Sequence, residues 1–117
     1  MNNKPKYHLF KNTRYAMEGF LHAFKTESSF RLELLLAIFI IPAVFLLNFE
    51  LWQKVALFST AFLVLIVELL NSAIENVVDL VTKEIHPLAK NAKDIGATAV
   101  MFSITLHLVC WALLLFQ

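Results

Sequence analysis

Three long apolar stretches restrict what this chain can fold into. They cover residues 34–49, 55–70 and 95–116. A helix that crosses the hydrocarbon core of a bilayer needs roughly 17–25 residues. The third stretch meets that length alone, and the first two meet it when their helices extend about one turn into the flanking residues. Because a chain in lipid must pair its backbone polar groups internally, such stretches fold as helices. The sequence therefore predicts an all-α integral membrane protein.

Composition supports a membrane protein and argues against other classes. Apolar residues make up 59% of the 117 residues, and the mean hydropathy is +0.68. Soluble domains contain about 45–50% apolar residues. The formal charge of +1 gives no basic field, so no nucleic-acid partner is expected. The length allows one domain, and we interpret residues 1–117 as a single membrane domain.

Residues 8–27 predict an amphipathic helix ahead of the first membrane span. Charged and polar side chains recur at helical spacing on one face, and Phe, Met and Leu recur on the other. Such a helix is typical of a membrane surface. The alternative is an ordinary helix packed on protein. The predicted membrane helices then cover residues 30–49, 53–80 and 91–116.

The distribution of Lys and Arg predicts the orientation in the membrane. Six precede the first span, one lies between the first and second, and three lie between the second and third. In chain order they are Lys4, Lys6, Lys11, Arg14, Lys25, Arg31, Lys54, Lys83, Lys90 and Lys93. Because loops rich in Lys and Arg stay on the cytoplasmic side, we expect the N-terminus and the 82–94 loop there. Both polar regions would then face the compartment that contains ATP.

The segment VELLNSAIENVVDL, residues 67–80, places polar side chains at the end of the second span. Glu68, Asn71, Glu75 and Asp79 follow helical spacing and share one face. A charged side chain in lipid costs several kcal/mol, so such residues usually have a function. Glu68, the deeper carboxylate, suits a general base. Glu75, nearer the water, suits a Mg²⁺ ion bound with a nucleotide. The alternative is a polar stripe that holds helices together in an oligomer.

Charged residues flank the other spans on the same predicted side. Glu27 is placed to complete a metal site with Glu75, or instead to cap a helix or pair with Lys25 or Arg31. Lysines in the 82–96 loop suit phosphate groups as point charges, and they also suit positive-inside anchors. The sequence has no glycine-rich phosphate loop and no His-Glu-x-x-His motif. A nucleotide would therefore have to be held by side chains and metal.

Two segments together, ELLNSAIENVVDL and HPLAKNAKDIGATAV, resemble the bacterial integral-membrane diacylglycerol kinases, a small family that also includes undecaprenol kinases. The resemblance runs from about residue 8 to the C-terminus and includes ESSFRLE. It implies a homotrimeric helical bundle in the bacterial inner membrane, each chain having a surface helix and three spans. It also implies phosphorylation of diacylglycerol to phosphatidic acid, with ATP as co-substrate and Mg²⁺ as cofactor.

The resemblance also implies roles for individual residues. Glu68 matches the catalytic base, Asn71 matches an essential polar residue beside it, and Glu27 and Glu75 match the metal-binding carboxylates. The implied nucleotide contacts are Tyr15, Glu27, Glu75, Glu84, His86, Lys93 and Asp94. The implied lipid contacts are His8, Ser29, Phe30, Arg31, Leu32, Glu33, Glu68 and Ala97.

Two positions depart from the family pattern near the implied lipid site. His8 stands where the family often has a basic residue, and Ala97 stands where it has a small hydroxyl residue. The alternative within the family is an undecaprenol kinase. Alternatives of other classes are a small proton- or cation-conducting oligomer, with Glu68 and Glu75 as its pathway, and a purely structural oligomer. A conductor would pass ions without nucleotide, whereas the kinase requires a lipid alcohol, Mg²⁺ and ATP.

Overall fold

Residues 8–117 of the protein form four α-helices. A computed structural model describes residues 8–117, so Lys4 and Lys6, which contribute to the predicted orientation, lie outside the described residues. The helices are α1 (Leu9–Thr26), α2 (Ser28–Leu46), α3 (Leu51–Val81) and α4 (Pro87–Leu115). No strand occurs in residues 8–117. The last three helices are long and apolar enough to cross a membrane. These findings confirm the all-α class with three candidate membrane spans.

Helix α4 begins earlier than predicted, at Pro87 rather than at residue 91. The helix begins at Pro87, where proline is well suited because the first helical residue needs no N–H partner. His86 precedes it as the N-cap, and its Nδ1 accepts a hydrogen bond from the backbone N–H of Leu88 at 3.1 Å. This capping extends α4 into the loop and brings His86 against the helix that carries Lys93.

The turn between α2 and α3 begins and ends earlier in the chain than predicted. Helix α2 ends at Leu46 rather than at residue 49, and α3 begins at Leu51 rather than at residue 53. The turn is fixed by Gln53, whose Oε1 accepts a hydrogen bond from the backbone N–H of Glu50 at 2.8 Å. This bond satisfies a backbone donor that the sequence pattern could not assign, and it sets where α3 starts.

Helix α3 is the central helix and packs against both α2 and α4. Short turns make successive helices antiparallel. Near one end of the pair, the rings of Phe45 and Phe58 lie 5.9 Å apart, and near the other end Glu33 faces Glu68. The start of α2, the end of α3 and the start of α4 therefore lie at the same end of the bundle, which we call the polar end.

Helix α1 is attached to the beginning of α2 by two side chains. Phe30 is only 1% exposed and packs edge-on against Phe20 of α1, with ring centroids 5.7 Å apart. Arg31 donates hydrogen bonds through Nη1 to the backbone carbonyls of Phe24 and Lys25, at 2.8 and 2.9 Å. These carbonyls belong to the last turn of α1, where a helix has no internal donors left. Phe30 and Arg31 thus fix α1 to the polar end.

A second attachment joins α3 to α4 within their apolar portions. Thr60 Oγ1 and His107 Nδ1 lie 2.8 Å apart, and Trp111 Nε1 donates to His107 Nε2 at 3.0 Å. Because Nε2 accepts, Nδ1 carries the proton of the neutral ring and donates it to Thr60, whose hydroxyl donates to the carbonyl of Ala56 at 2.8 Å. Every polar atom in this chain of bonds has a partner, as the interior of a membrane bundle requires.

Candidate active site

The length of α3 determines how deep its polar residues lie. Its 31 residues correspond to about 46 Å at 1.5 Å per residue, whereas the hydrocarbon core is about 30 Å thick. When the apolar residues 51–70 fill that core, Glu68 lies at its edge. Glu75 and Asp79 then lie progressively farther into the water, so one helix presents acidic groups at three depths.

Glu68 is buried between α2 and α3. The residue is 5% exposed, and it lies near enough to Glu33 for the two carboxyl groups to act on each other. Glu33 Oε2 is buried and has no hydrogen-bond partner among residues 8–117. Glu27 and Glu75 lie near enough for their charges to act on Glu68. Four carboxyl groups from the α1–α2 junction, α2 and α3 therefore gather at the polar end, and Glu68 faces protein.

Asn71 links this group of carboxyl groups to α4. It is 8% exposed, and its Nδ2 donates to Glu75 Oε1 at 2.9 Å. Its Oδ1 has no partner in the described part of the chain and lies against Gly96 so closely that a Cβ at that position would overlap it. Gly96 thus allows α4 to approach α3, and Asn71 fixes the orientation of the Glu75 carboxylate.

The turn between α3 and α4 forms a cavity of about 290 Å³. Four of the residues implied as nucleotide contacts line it together: Glu84, His86, Lys93 and Asp94. Lys83 and Lys90 also line it and add positive charge. Ligand pockets usually measure about 300–1,000 Å³, so this open cavity suits one part of a nucleotide rather than all of it.

Local bonds explain why the cavity residues come together. Thr82 ends α3, and its Oγ1 accepts a hydrogen bond from the backbone N–H of Glu84 at 3.0 Å, which fixes the turn. Across the turn, Lys93 Nζ donates to Asp79 Oδ1 at 2.7 Å and joins α4 to α3. One bond therefore fixes the turn at the cavity, and the other joins the two helices that line it.

Three of the predicted site residues lie away from these two groups. Tyr15 is exposed on α1, with the Arg14 guanidinium 5.5 Å from its ring centroid. His8 is the exposed N-cap of α1 and makes no side-chain cap bond. Ala97 is exposed on α4, next to Gly96. Within one chain, none of the three lines the α3–α4 cavity.

The predicted lipid segment, residues 29–33, divides by position. Phe30 and Arg31 are engaged in holding α1, as described above, whereas Ser29 and Leu32 are exposed. Glu33 points to Glu68. The structure thus brings one residue of this segment to the predicted base and leaves two others on the outer surface.

Two residues with a place in this site were not assigned a role from the sequence. Gly96 is one of only two glycines in the chain. Because glycine inside a helix is disfavoured by up to about 1 kcal/mol, its presence in the third span could have indicated a close contact between helices. Ser72 is 6% exposed, and its Oγ is buried without a partner in the described residues. Its spacing placed it on the polar face, but only the packing of neighbouring helices shows that its hydroxyl is enclosed.

Glu27 and Glu75 are the candidate metal ligands. Among residues 8–117, no group of three or more His, Cys, Asp or Glu side chains is arranged to hold a metal ion. Glu27 is the N-cap residue of α2, yet its side chain makes no cap hydrogen bond, so its carboxylate is not committed to the helix. Mg²⁺ often takes one or two carboxylates and completes its shell with water and substrate phosphates. The donor set therefore fits a Mg²⁺ ion that arrives with a nucleotide.

Comparison with known proteins identifies the family. Residues 14–115 match the family model of the prokaryotic diacylglycerol kinases. The chain belongs to this family. The diacylglycerol kinase of Pseudomonas aeruginosa is 47% identical over 103 residues, which cover 88% of this chain and 84% of that protein. The enzyme of Haemophilus influenzae is 38% identical over 109 residues (93% and 92%), and that of Escherichia coli K12 is 36% identical over 109 residues (93% and 89%).

Membership in the prokaryotic diacylglycerol kinase family confirms several predictions at once. The chain is an enzyme, a membrane lipid kinase that uses ATP, and its lipid substrate class is diacylglycerol. The ion conductor and the purely structural oligomer are thereby set aside. The roles of individual residues stay predictions, and they are taken up as proposals below.

Replacing Gly96 by Ala should disable the site, because the added Cβ overlaps Asn71 Oδ1. Overpacking of this kind typically destabilises by about 1–3 kcal/mol. Gly19→Ala is the matched control, since a Cβ there meets nothing within 4 Å. Both variants gain the same helix propensity, so the difference between them isolates the overlap. Thermal unfolding in detergent and kinase activity measure the outcome, and equal behaviour of the two variants would contradict the packing described here.

Proposed function

We propose that the chain acts as a single kinase domain that transfers the γ-phosphoryl group of Mg-ATP to the primary hydroxyl of diacylglycerol, giving phosphatidic acid. The reaction takes place at the polar end of the bundle, on the cytoplasmic face of the bacterial inner membrane. One observation carries the proposal. Helix α3 joins a buried carboxylate at the edge of its apolar span, Glu68, to a lysine-lined cavity at the same end of the bundle.

Glu68 is the proposed general base. The oxygen of the lipid hydroxyl attacks the γ-phosphorus, the bond from that phosphorus to the bridging oxygen breaks, and ADP leaves with the bond electrons. Glu68 accepts the hydroxyl proton, and its contact with Glu33 offers that proton a second carboxyl group. Diacylglycerol need not leave the bilayer, because Glu68 lies at the edge of the hydrocarbon core, the depth at which the hydroxyl group of the lipid is expected.

The α3–α4 cavity is the proposed nucleotide site. Lys93 lies on its wall, and its ammonium group favours phosphate oxygens as a point charge. Glu84, His86 and Asp94 line the same cavity and offer polar contacts to the rest of the nucleotide. Glu27 and Glu75 would hold Mg²⁺, which when bound neutralises the charge of the transferred phosphoryl group.

The cytoplasmic location and a homotrimer complete the proposal. The location is supported by the excess of Lys and Arg before α2 and between α3 and α4. The trimer is supported by the resemblance described above. In a trimer with shared sites, Tyr15 and His8 would reach the site of a neighbouring chain, which accounts for their distance from the cavity of their own chain.

Lipid preference tests the function directly. With purified protein in mixed micelles, Mg²⁺ and labelled ATP, we expect labelled phosphatidic acid from 1,2-diacylglycerol at a rate at least about tenfold above that of undecaprenyl phosphate from undecaprenol, equivalent to about 1.4 kcal/mol in the barrier. Micelles without a lipid alcohol are the control for ATP hydrolysis. A faster reaction with undecaprenol would overturn the proposed substrate.

Glu68→Gln should fold normally and lose activity by about 10²–10⁴-fold, the usual contribution of a general base. The amide keeps the size of the side chain but cannot accept the proton. Glu18→Gln is the matched control, because Glu18 is exposed on α1 and, among residues 8–117, pairs only with Arg14 at 3.8 Å. Initial rates at saturating ATP and lipid decide the point, and an active Glu68→Gln enzyme would refute the assignment of the base.

Glu75→Gln should weaken the use of Mg²⁺ rather than the use of lipid. A Gln at this position still accepts the hydrogen bond from Asn71, so the local structure is kept while the negative charge is lost. We expect the Mg²⁺ concentration for half-maximal rate to rise about tenfold or more, about 1.4 kcal/mol, with the KM for diacylglycerol within about twofold. An unchanged Mg²⁺ titration would count against a metal role for Glu75.

A further inference from the structure

A hydrogen-bonded ion pair spans the α3–α4 cavity. Lys93 Nζ lies 2.7 Å from Asp79 Oδ1, and both residues line the cavity. Their side chains are 40% and 44% exposed, so the pair remains accessible from the cavity. The charge of Glu75, four residues before Asp79 on α3, also acts on Lys93. The ammonium group of Lys93 therefore lies on the cavity lining and within electrostatic reach of Glu75, one of the proposed metal ligands.

This pair is not needed to hold the two helices together. An ion pair with exposed partners contributes little to stability, because water and salt screen it. The contacts Asn71–Gly96 and Thr60–His107 already fix α4 against α3. A lysine side chain, by contrast, has a long flexible stem, and fixing its position in advance removes an entropic penalty from ligand binding. The pair is thus better explained by its effect on the position of Lys93 than by a contribution to the stability of the fold.

We propose that Asp79 is a positioning residue for the nucleotide, which it serves by holding Lys93 Nζ in the α3–α4 cavity. An ammonium group has three donors, so the bond to Asp79 leaves two N–H groups for phosphate oxygens. Asp79 acts only through Lys93 and touches no substrate. This inference rests on the proposed function, in which the cavity receives the triphosphate.

The other ion pair of the cavity shows what distinguishes this one. Lys90 and Asp94 pair within α4, four residues apart, and their side chains are 70% and 59% exposed. Such a pair follows from helical spacing alone. The Asp79–Lys93 pair instead joins residues fourteen positions apart on two helices, so it fixes Lys93 relative to the face of α3 that carries Glu75 and Glu68.

The test compares Asp79→Asn with the unaltered protein, using steady-state kinetics with diacylglycerol in mixed micelles. We expect the KM for ATP to rise about five- to twentyfold, with the KM for diacylglycerol and the unfolding temperature essentially unchanged. Asp79→Glu, which keeps the charge, should recover most of the loss. Asn76→Ala, on the neighbouring turn of α3, is the control and should leave the KM for ATP unchanged. Binding of a non-hydrolysable ATP analogue with Mg²⁺, measured without lipid, should weaken in parallel.

A double-mutant cycle separates positioning from an independent role. In a Lys93→Ala background, Asp79→Asn should change the KM for ATP by less than about twofold, because the group it positions is absent. If the full effect of Asp79→Asn persists there, Asp79 acts by itself and the inference fails. It fails equally if Asp79→Asn leaves nucleotide affinity unchanged, or if it lowers stability and both KM values suffer together. A protein that uses no ATP with any lipid would instead refute the proposed function.

Discussion

The close approach of α4 to α3 at Gly96 is the contact on which the rest of the polar end depends. It brings the α4 backbone onto Asn71, and Asn71 in turn holds the carboxylate of Glu75. A larger residue at position 96 would separate the helices there. Lys93 would then move away from Asp79, and the cavity at the turn would open. Side chains that function in water are thus positioned by a packing contact inside the bundle.

A membrane bundle has few other ways to achieve such precision. Lipid is as apolar as the side chains of the spans, so burial alone gives little preference for one helix register over another. Register is then set by close packing at small residues and by polar bonds between helices. Gly96 against Asn71 supplies the first, and the Thr60–His107–Trp111 chain supplies the second at the opposite half of α3 and α4. Together they fix α4 at two heights, which is what a site shared by two helices requires.

The features that could be predicted from the sequence are those that depend only on the position of a residue along its own helix. Apolar length gave the three spans, and helical spacing put Glu68, Asn71 and Glu75 on one face, because both properties are local. The sequence could not predict which side chains on different helices contact each other. The Glu33–Glu68 contact and the Lys93–Asp79 bond depend on the register between helices, which arises from packing. The starts of α4 at Pro87 and of α3 at Leu51 differ from the predicted starts for a related reason, because hydrogen bonds at the N-cap residues His86 and Glu50 determine where these helices begin.

The order of acidic groups along α3 matches the order of tasks in the proposed reaction. Seven residues separate Glu68 from Glu75, about 10 Å along the axis, and four more lead to Asp79, about 6 Å farther. The first is buried at the edge of the apolar span, where the lipid hydroxyl arrives, and the last holds a lysine in a cavity open to water. A triphosphate lying along this face would point its reactive end toward the bilayer. In the proposed reaction, the gradient from lipid to water along α3 would therefore order the two substrates, and no mobile lid would be required to bring them together.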